Sequence, residues 1–118
     1  MIEDYVRNAQ LVRVIDGDTY ELNIDLGFRI WKKDRVRLYG VNCPEIRGPE
    51  LKKGLAAKIA VQEWFDKHEK LQIKTHSDKY DSFGRLLADV WSEADELSQY
   101  ILATGHGTVL EDSNRGGT

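Results

Sequence analysis

The sequence has a single cysteine, Cys43, and only two prolines, Pro44 and Pro49, in 118 residues. One cysteine excludes an internal disulfide and cannot by itself make a thiolate zinc site. No apolar run approaches the ~20 residues that a membrane-crossing helix needs, so no membrane role is expected. The opening segment, MIEDYVRNAQ, is acidic and lacks the basic-then-apolar pattern of a secretion signal, so the chain reads as cytoplasmic. A large excess of one charge is also missing. The formal net charge is -3, which argues against a protein that coats nucleic acid through overall attraction.

The apolar share of 41% is ordinary for a globular chain and the charged share of 31% is somewhat high. Both suit one small domain with one core. The charge is unevenly spread. Residues 28–53 carry eight basic side chains (Arg29, Lys32, Lys33, Arg35, Arg37, Arg47, Lys52 and Lys53) against three acidic ones. The segments on either side are acidic. A basic middle between acidic flanks could guide a phosphate to one place, or form a solvated face of mixed charge.

Hydrophobic periodicity gives the order of elements. Residues 5–15 are rich in β-branched and aromatic side chains and read as a strand. After Asp16-Gly17, residues 19–25 alternate apolar with polar, which puts one strand face in a core. Residues 28–41 form a longer third strand. From Pro49 to His68 apolar residues recur at helical spacing, with Leu51, Leu55, Ile59 and Phe65 as the stripe and Ala56, Ala60 and Trp64 beside it. Residues 70–76 and 85–91 read as two more strands around a polar turn, Ser77 to Gly84. Ser92 with Asp95 resembles a capping box that opens a second helix, which Gly105 stops. Trp31, Trp64 and Trp91 are expected in or beside the core, although Trp31, next to Lys32 and Lys33, could stack on a base. His68, His76 and His106 show no site spacing. Five short strands with two helices fit a mainly β fold, a closed barrel of the OB type. Residues 1–110 are expected to form this domain and residues 111–118 a disordered tail.

Three segments carry candidate chemistry. In Asp16-Gly17-Asp18-Thr19 two carboxylates flank a glycine at a strand junction. A hard cation such as calcium wants such oxygens, but alone the pair reads first as a hairpin turn. In Arg37-Leu38-Tyr39-Gly40-Val41-Asn42-Cys43-Pro44-Glu45, Asn42 offers an amide oxygen and Glu45 a carboxylate able to deprotonate water. Arg37 offers a planar fork that matches two phosphate oxygens. In Asp81-Ser82-Phe83-Gly84-Arg85-Leu86-Leu87-Ala88, Gly84 permits a sharp turn into a strand and Arg85 projects near its start. Singly, each has a plain structural reading. Together they supply what phosphodiester hydrolysis needs: a held phosphate, neutralised charge and an aimed water.

The segments VIDGDTYEL at 14–22, RLYGVNCPE at 37–45 and DSFGRLLA at 81–88 resemble the motifs of the staphylococcal nuclease family, in the family's order. The resemblance implies an OB barrel and calcium-dependent endonuclease activity on DNA and RNA, leaving 3′-phosphate and 5′-hydroxyl ends. It assigns Asp18 and Asn42 as calcium ligands, with the backbone carbonyl of Cys43, and Asp16 and Thr19 in the outer shell. It implies Glu45 as general base, Arg37 and Arg85 as phosphate-binding and catalytic residues, and Phe83 against the nucleotide. Asn42 stands where the family's best-known members have an aspartate, which implies weaker calcium binding. Single-stranded or frayed nucleic acid is the expected substrate, and a monomer the expected state. A second reading is a non-catalytic OB module, with a weakened metal site, that binds nucleic acid or protein.

Overall fold

Three successive strands, β1 (Val6–Asp16), β2 (Thr19–Asp25) and β3 (Trp31–Leu38), pair antiparallel as a meander. The computed structural model describes residues 6–110, apart from the side chains of residues 77–79, so the expected tail at 111–118 lies outside the described residues. β1 shifts register at two places along β2, between Leu11 and Arg13 and between Val14 and Asp16. Such irregularities bend a strand. The bent β1 pairs with β2 through residues 9–16 and with β5 (Leu71–Tyr80) through residues 6–9. β5 pairs with β6 (Leu86–Ser92), and β6 runs parallel to β3 with Arg37 opposite Leu87. That last pairing closes a five-stranded barrel in the order β1-β2-β3-β6-β5. With its two helices this is the mainly β, OB-type architecture that the sequence pattern predicts.

The core follows the period-2 alternation. Tyr20, Leu22 and Ile24 of β2 face in, with Val36 and Leu38 of β3, Leu71 and Ile73 of β5, and Leu86, Ala88 and Val90 of β6. Each fully buried large apolar side chain contributes about 1.5–3 kcal/mol. The buried Tyr20 hydroxyl donates to the Gly17 carbonyl at 2.6 Å, so its polar end is satisfied. A 3-10 turn at Gly48–Glu50 leads into α1 (Leu51–Lys67), which covers the barrel from one side. A short strand β4 (Val41–Asn42) pairs with β8 (Thr108–Val109), and β7 (Asp95–Glu96) leads into α2 (Leu97–Ala103). Among the described residues no helix is long and apolar enough to cross a membrane.

Four expectations are corrected. The stripe Leu51, Leu55 and Ile59 faces solvent, at 43%, 41% and 60% exposure. The buried face is Gly54, Ala57, Ala60, Val61, Trp64 and Phe65, because close approach of the helix to the barrel selects small residues rather than the most hydrophobic stripe. The third strand begins at Trp31 rather than residue 28, since Phe28 and Arg29 occupy a turn in which both have positive φ, 57° and 63°. Ser92 caps no helix. It ends β6 and donates to the Lys70 carbonyl, and a two-residue turn at Glu93-Ala94 precedes α2. Trp31 is not a core residue, whereas Trp64 is buried and Trp91 is half-buried with its Nε1 donating to Gln72.

His68 caps the end of α1 and ties it to the β6–β7 hairpin. Its ring stacks on Trp64, and its two nitrogens meet the Trp64 carbonyl at 2.7 Å and the Asp95 carboxylate at 2.8 Å. Both partners are acceptors, so the doubly protonated ring satisfies both. The Trp64 carbonyl first, and Asp95 after it, hold the His68 pKa above its ordinary 6.5. A raised histidine pKa gives stability that is full below the unfolded value and lost as pH rises through the folded one. Urea midpoints should therefore fall as pH rises above about 6.5 by a component that His68→Ala removes. An unchanged pH slope in that variant would refute this role.

Candidate active site

Two loops are pressed together at one end of the barrel. The β1–β2 turn is so close to the segment after β4 that a Cβ on Gly17 would meet Cys43 Cβ at 2.8 Å and Ala57 Cβ at 3.0 Å. Glycine at 17 is therefore required by crowding. Within the turn Asp16 Oδ1 accepts the Asp18 N–H at 3.1 Å. Asp18, 8% exposed, points across to the second loop, where its Oδ2 accepts the Cys43 N–H at 2.9 Å. The Arg37 guanidinium lies 3.6 Å from the same oxygen.

The electrostatics here are unusual for a carboxylate. Burial pushes the Asp18 carboxyl up to about 6, against the pull of Arg37 and the Cys43 N–H. One guanidinium does not offset the desolvation, and Asp16 adds further negative charge beside it. Arg37 is also largely committed. Its Nη1 donates to the carbonyls of Leu38 at 2.9 Å and Val41 at 2.7 Å, and its Nη2 reaches Asn42 Oδ1 at 3.4 Å. The Cys43 thiol is buried and pushed up to about 12 by that burial and by Asp18. It is protonated and is no thiolate ligand.

On the open side lies a cleft of about 580 Å³, lined by Asp16, Thr19, Glu45, Phe83 and Arg85 together with Arg35, Arg47 and Lys58. Arg85 is held by geometry from three directions. Its Nε donates to Asp81 Oδ2 at 2.7 Å, its Nη1 donates to Thr19 Oγ1 at 3.0 Å, and its guanidinium sits 5.2 Å from the Phe83 ring centre. Asp81 in turn accepts the N–H groups of Phe83 and Arg85. These bonds draw its carboxyl below the usual range, although partial burial alone would raise it. Thr19 joins the cleft to the buried cluster, because its hydroxyl donates to Asp18 Oδ1 at 3.3 Å while accepting from Arg85.

Glu45 stands at the mouth, with its side chain 67% exposed and Oε1 accepting from Arg47 Nε at 3.3 Å. Its backbone is seated on the start of α1, through Glu45 N–H donating to Glu50 and through direct contact with Gly54.

The structure thus brings together Asp16, Thr19, Glu45, Phe83 and Arg85 in one cleft. Asp18, Arg37, Asn42 and Cys43 form a hydrogen-bonded group beside it, joined to the cleft through Thr19. The cleft also recruits Arg35, Arg47 and Lys58, which sequence reasoning gave no individual role. The basic excess of residues 28–53 signalled the two arginines, and nothing in the local pattern marked Lys58 or the support that Asp81 gives Arg85.

A family model described as staphylococcal nuclease homologue matches residues 35–117. The chain belongs to this family. No curated protein matches it significantly. The match takes in two of the staphylococcal-nuclease motifs, and the first, at 14–22, precedes it. The contact between Asp18 and Cys43 nevertheless joins that first motif to the second. The family acts on nucleic acids, and the domain is nuclease-like. Among the described residues no three His, Cys, Asp or Glu side chains cluster as a metal site. A cation would have to rely on Asp18, Asn42, the Cys43 carbonyl and water. Those donors are all oxygens, as calcium prefers, and the Arg37 guanidinium lies against two of them, 3.6 Å from Asp18 Oδ2 and 3.4 Å from Asn42 Oδ1.

Gly54 is the support on which Glu45 rests. An added Cβ would meet the Glu45 carbonyl oxygen at 2.2 Å and its carbon at 2.6 Å, both backbone. Alanine favours a helix over glycine by about 1 kcal/mol, but forced displacement of packed atoms typically costs about 1–3 kcal/mol. Gly54→Ala should thus lower stability in urea unfolding despite its better propensity. A more stable variant would show that the loop yields freely.

Proposed function

We propose that this domain is a calcium-dependent endonuclease that hydrolyses phosphodiester bonds of single-stranded or frayed DNA and RNA, leaving 3′-phosphate and 5′-hydroxyl ends. The observation that carries the reading is the convergence of Arg85 and Glu45 on one cleft beside the Asp18–Asn42 group. Residues 1–110 are taken as the catalytic domain. Asp18, Asn42 and the Cys43 carbonyl would hold calcium, with Asp16 and Thr19 reaching it through water. Bound calcium supplies positive charge against the charge that grows on the phosphate.

The chain's own residues supply the remainder. Arg85 offers the phosphate a guanidinium already oriented by Asp81 and Thr19, so little ordering is left to do on binding. Arg37 would add a second contact through Nη2, whose bond to Asn42 at 3.4 Å is the longest it makes and the easiest to exchange. Glu45, exposed at the mouth, accepts the proton of the attacking water, whose oxygen bonds to phosphorus as the bond to the 5′ oxygen breaks, and the 5′ oxygen takes a proton from solvent to become the hydroxyl. Phe83, 81% exposed on the cleft wall, is free to lie against the nucleotide.

Glu45→Gln should lower kcat on single-stranded DNA by about 10²–10⁴-fold without lowering the melting temperature. Near-normal turnover would remove Glu45 from the mechanism. Calcium should raise the melting temperature at about pH 7.5 and do so less at about pH 5.5, because the proton held by Asp18 below about 6 competes with the cation. No calcium effect at either pH would point to the rival reading, a binding module whose site Asn42 has weakened. Cleavage that a chelator abolishes would exclude that rival.

A further inference from the structure

A volume of about 580 Å³ is that of a small-molecule site, about 300–1,000 Å³. OB barrels that hold single strands cover about 4–16 nucleotides. Most of a bound strand must then lie outside the cleft, on some neighbouring surface.

The outer face of β3 leads out of the cleft. Arg35 lines the cleft itself. Side chains two apart share a face of a strand, so Lys33 and Trp31 continue the row at steps of about 6–7 Å. All three are exposed. Glu21, opposite Arg35 on β2, is taken by Arg13 at 3.0 Å, and Asp25, opposite Trp31, accepts the Gly27 N–H. Lys33 and Arg35 thus have no ion-pair partner among the described residues, and an aromatic plane lies at the far end of the row.

Beyond Trp31 the hairpin tip presents more of the same chemistry. Phe28 is 96% exposed, and Leu26, Ile30 and Trp31 are 44–54% exposed. The Ile30 N–H closes the turn onto the Gly27 carbonyl at 2.9 Å, with Phe28 and Arg29 both left-handed. Hairpin turns of that form ordinarily use Asn-Gly, and a bulky L residue held there is strained. Strain together with exposed aromatic surface works against stability, and such outliers point to function.

We infer that the outer face of β3 and the β2–β3 hairpin tip form a second nucleic-acid subsite, which holds the part of a single strand that extends from the cleft. Lys33 contacts phosphate, and Trp31 and Phe28 stack on bases. The inference rests on the nuclease reading for the identity of the ligand.

Binding should be measured by fluorescence anisotropy in chelator, where no cleavage is required, with labelled single strands of about 3 and about 12 nucleotides. Trp31→Ala should weaken the longer strand about tenfold and leave the shorter unchanged, and Trp31→Phe should restore most of the loss. Lys33→Ala should lower the slope of log affinity against log salt by about 0.7–0.9. Wild-type affinity of both alanine variants for the longer strand would overturn the inference. So would a Trp31-dependent response to phosphatidylserine vesicles but not to DNA, which would make the tip a membrane-contacting face. The two readings fail separately. Hairpin-dependent binding without cleavage on adding calcium would sink the nuclease reading alone, and normal cleavage with unchanged binding in the variants would sink the subsite alone.

Discussion

The site depends on one buried carboxylate. Asp18 is shut away from water by the same contact that makes it useful, since its oxygens take the Cys43 N–H and the Thr19 hydroxyl while Arg37 lies alongside. A charge in that position is expensive unless it is paired and hydrogen-bonded. Here the pairing is incomplete, and the carboxyl keeps its proton up to about pH 6. The β1–β2 turn, the end of β3 and the loop after β4 are therefore held in one arrangement by a group that remains short of positive charge.

Barrel closure is what lets the carboxylate and the cleft meet. Parallel pairing of β3 with β6 sets Arg37 opposite Leu87, two residues beyond Arg85. The guanidinium of Arg85 can then cross to Thr19 on β2, 66 positions away in the chain. Three loops far apart in sequence converge because neighbouring strands of a closed sheet deliver their ends to one rim. Helix α1 completes the arrangement from below, with Gly54 and Ala57 small enough to let the Glu45 loop and the Gly17 turn sit directly on it.

The legible features were those governed by short-range pattern. Alternation in β2 identified Tyr20, Leu22 and Ile24 as core, and the change of period after Pro49 marked α1. The motif residues could be named because their types, order and family likeness reinforced one another. Illegible features were set by shape at long range. Hydrophobicity favoured Leu51, Leu55 and Ile59 as the buried stripe, but contact distance selected Gly54, Ala57 and Val61. Local pattern extended the third strand through Phe28 and Arg29, and only the twist of the hairpin made them a turn. Lys58 carried no local mark, and the basic excess around Arg35 and Arg47 gave them no individual role, because their place in the cleft depends on which elements fold against which.

The Cys43 thiol sits beneath Gly17 with its pKa pushed up to about 12. In the closed protein almost none of it is thiolate, and only 5% of the residue is exposed. Alkylation is expected chiefly when the two loops separate, so its rate should follow the fraction of molecules in which they are apart. The lone cysteine thus reports on the opening of the contact between the β1–β2 turn and the loop after β4.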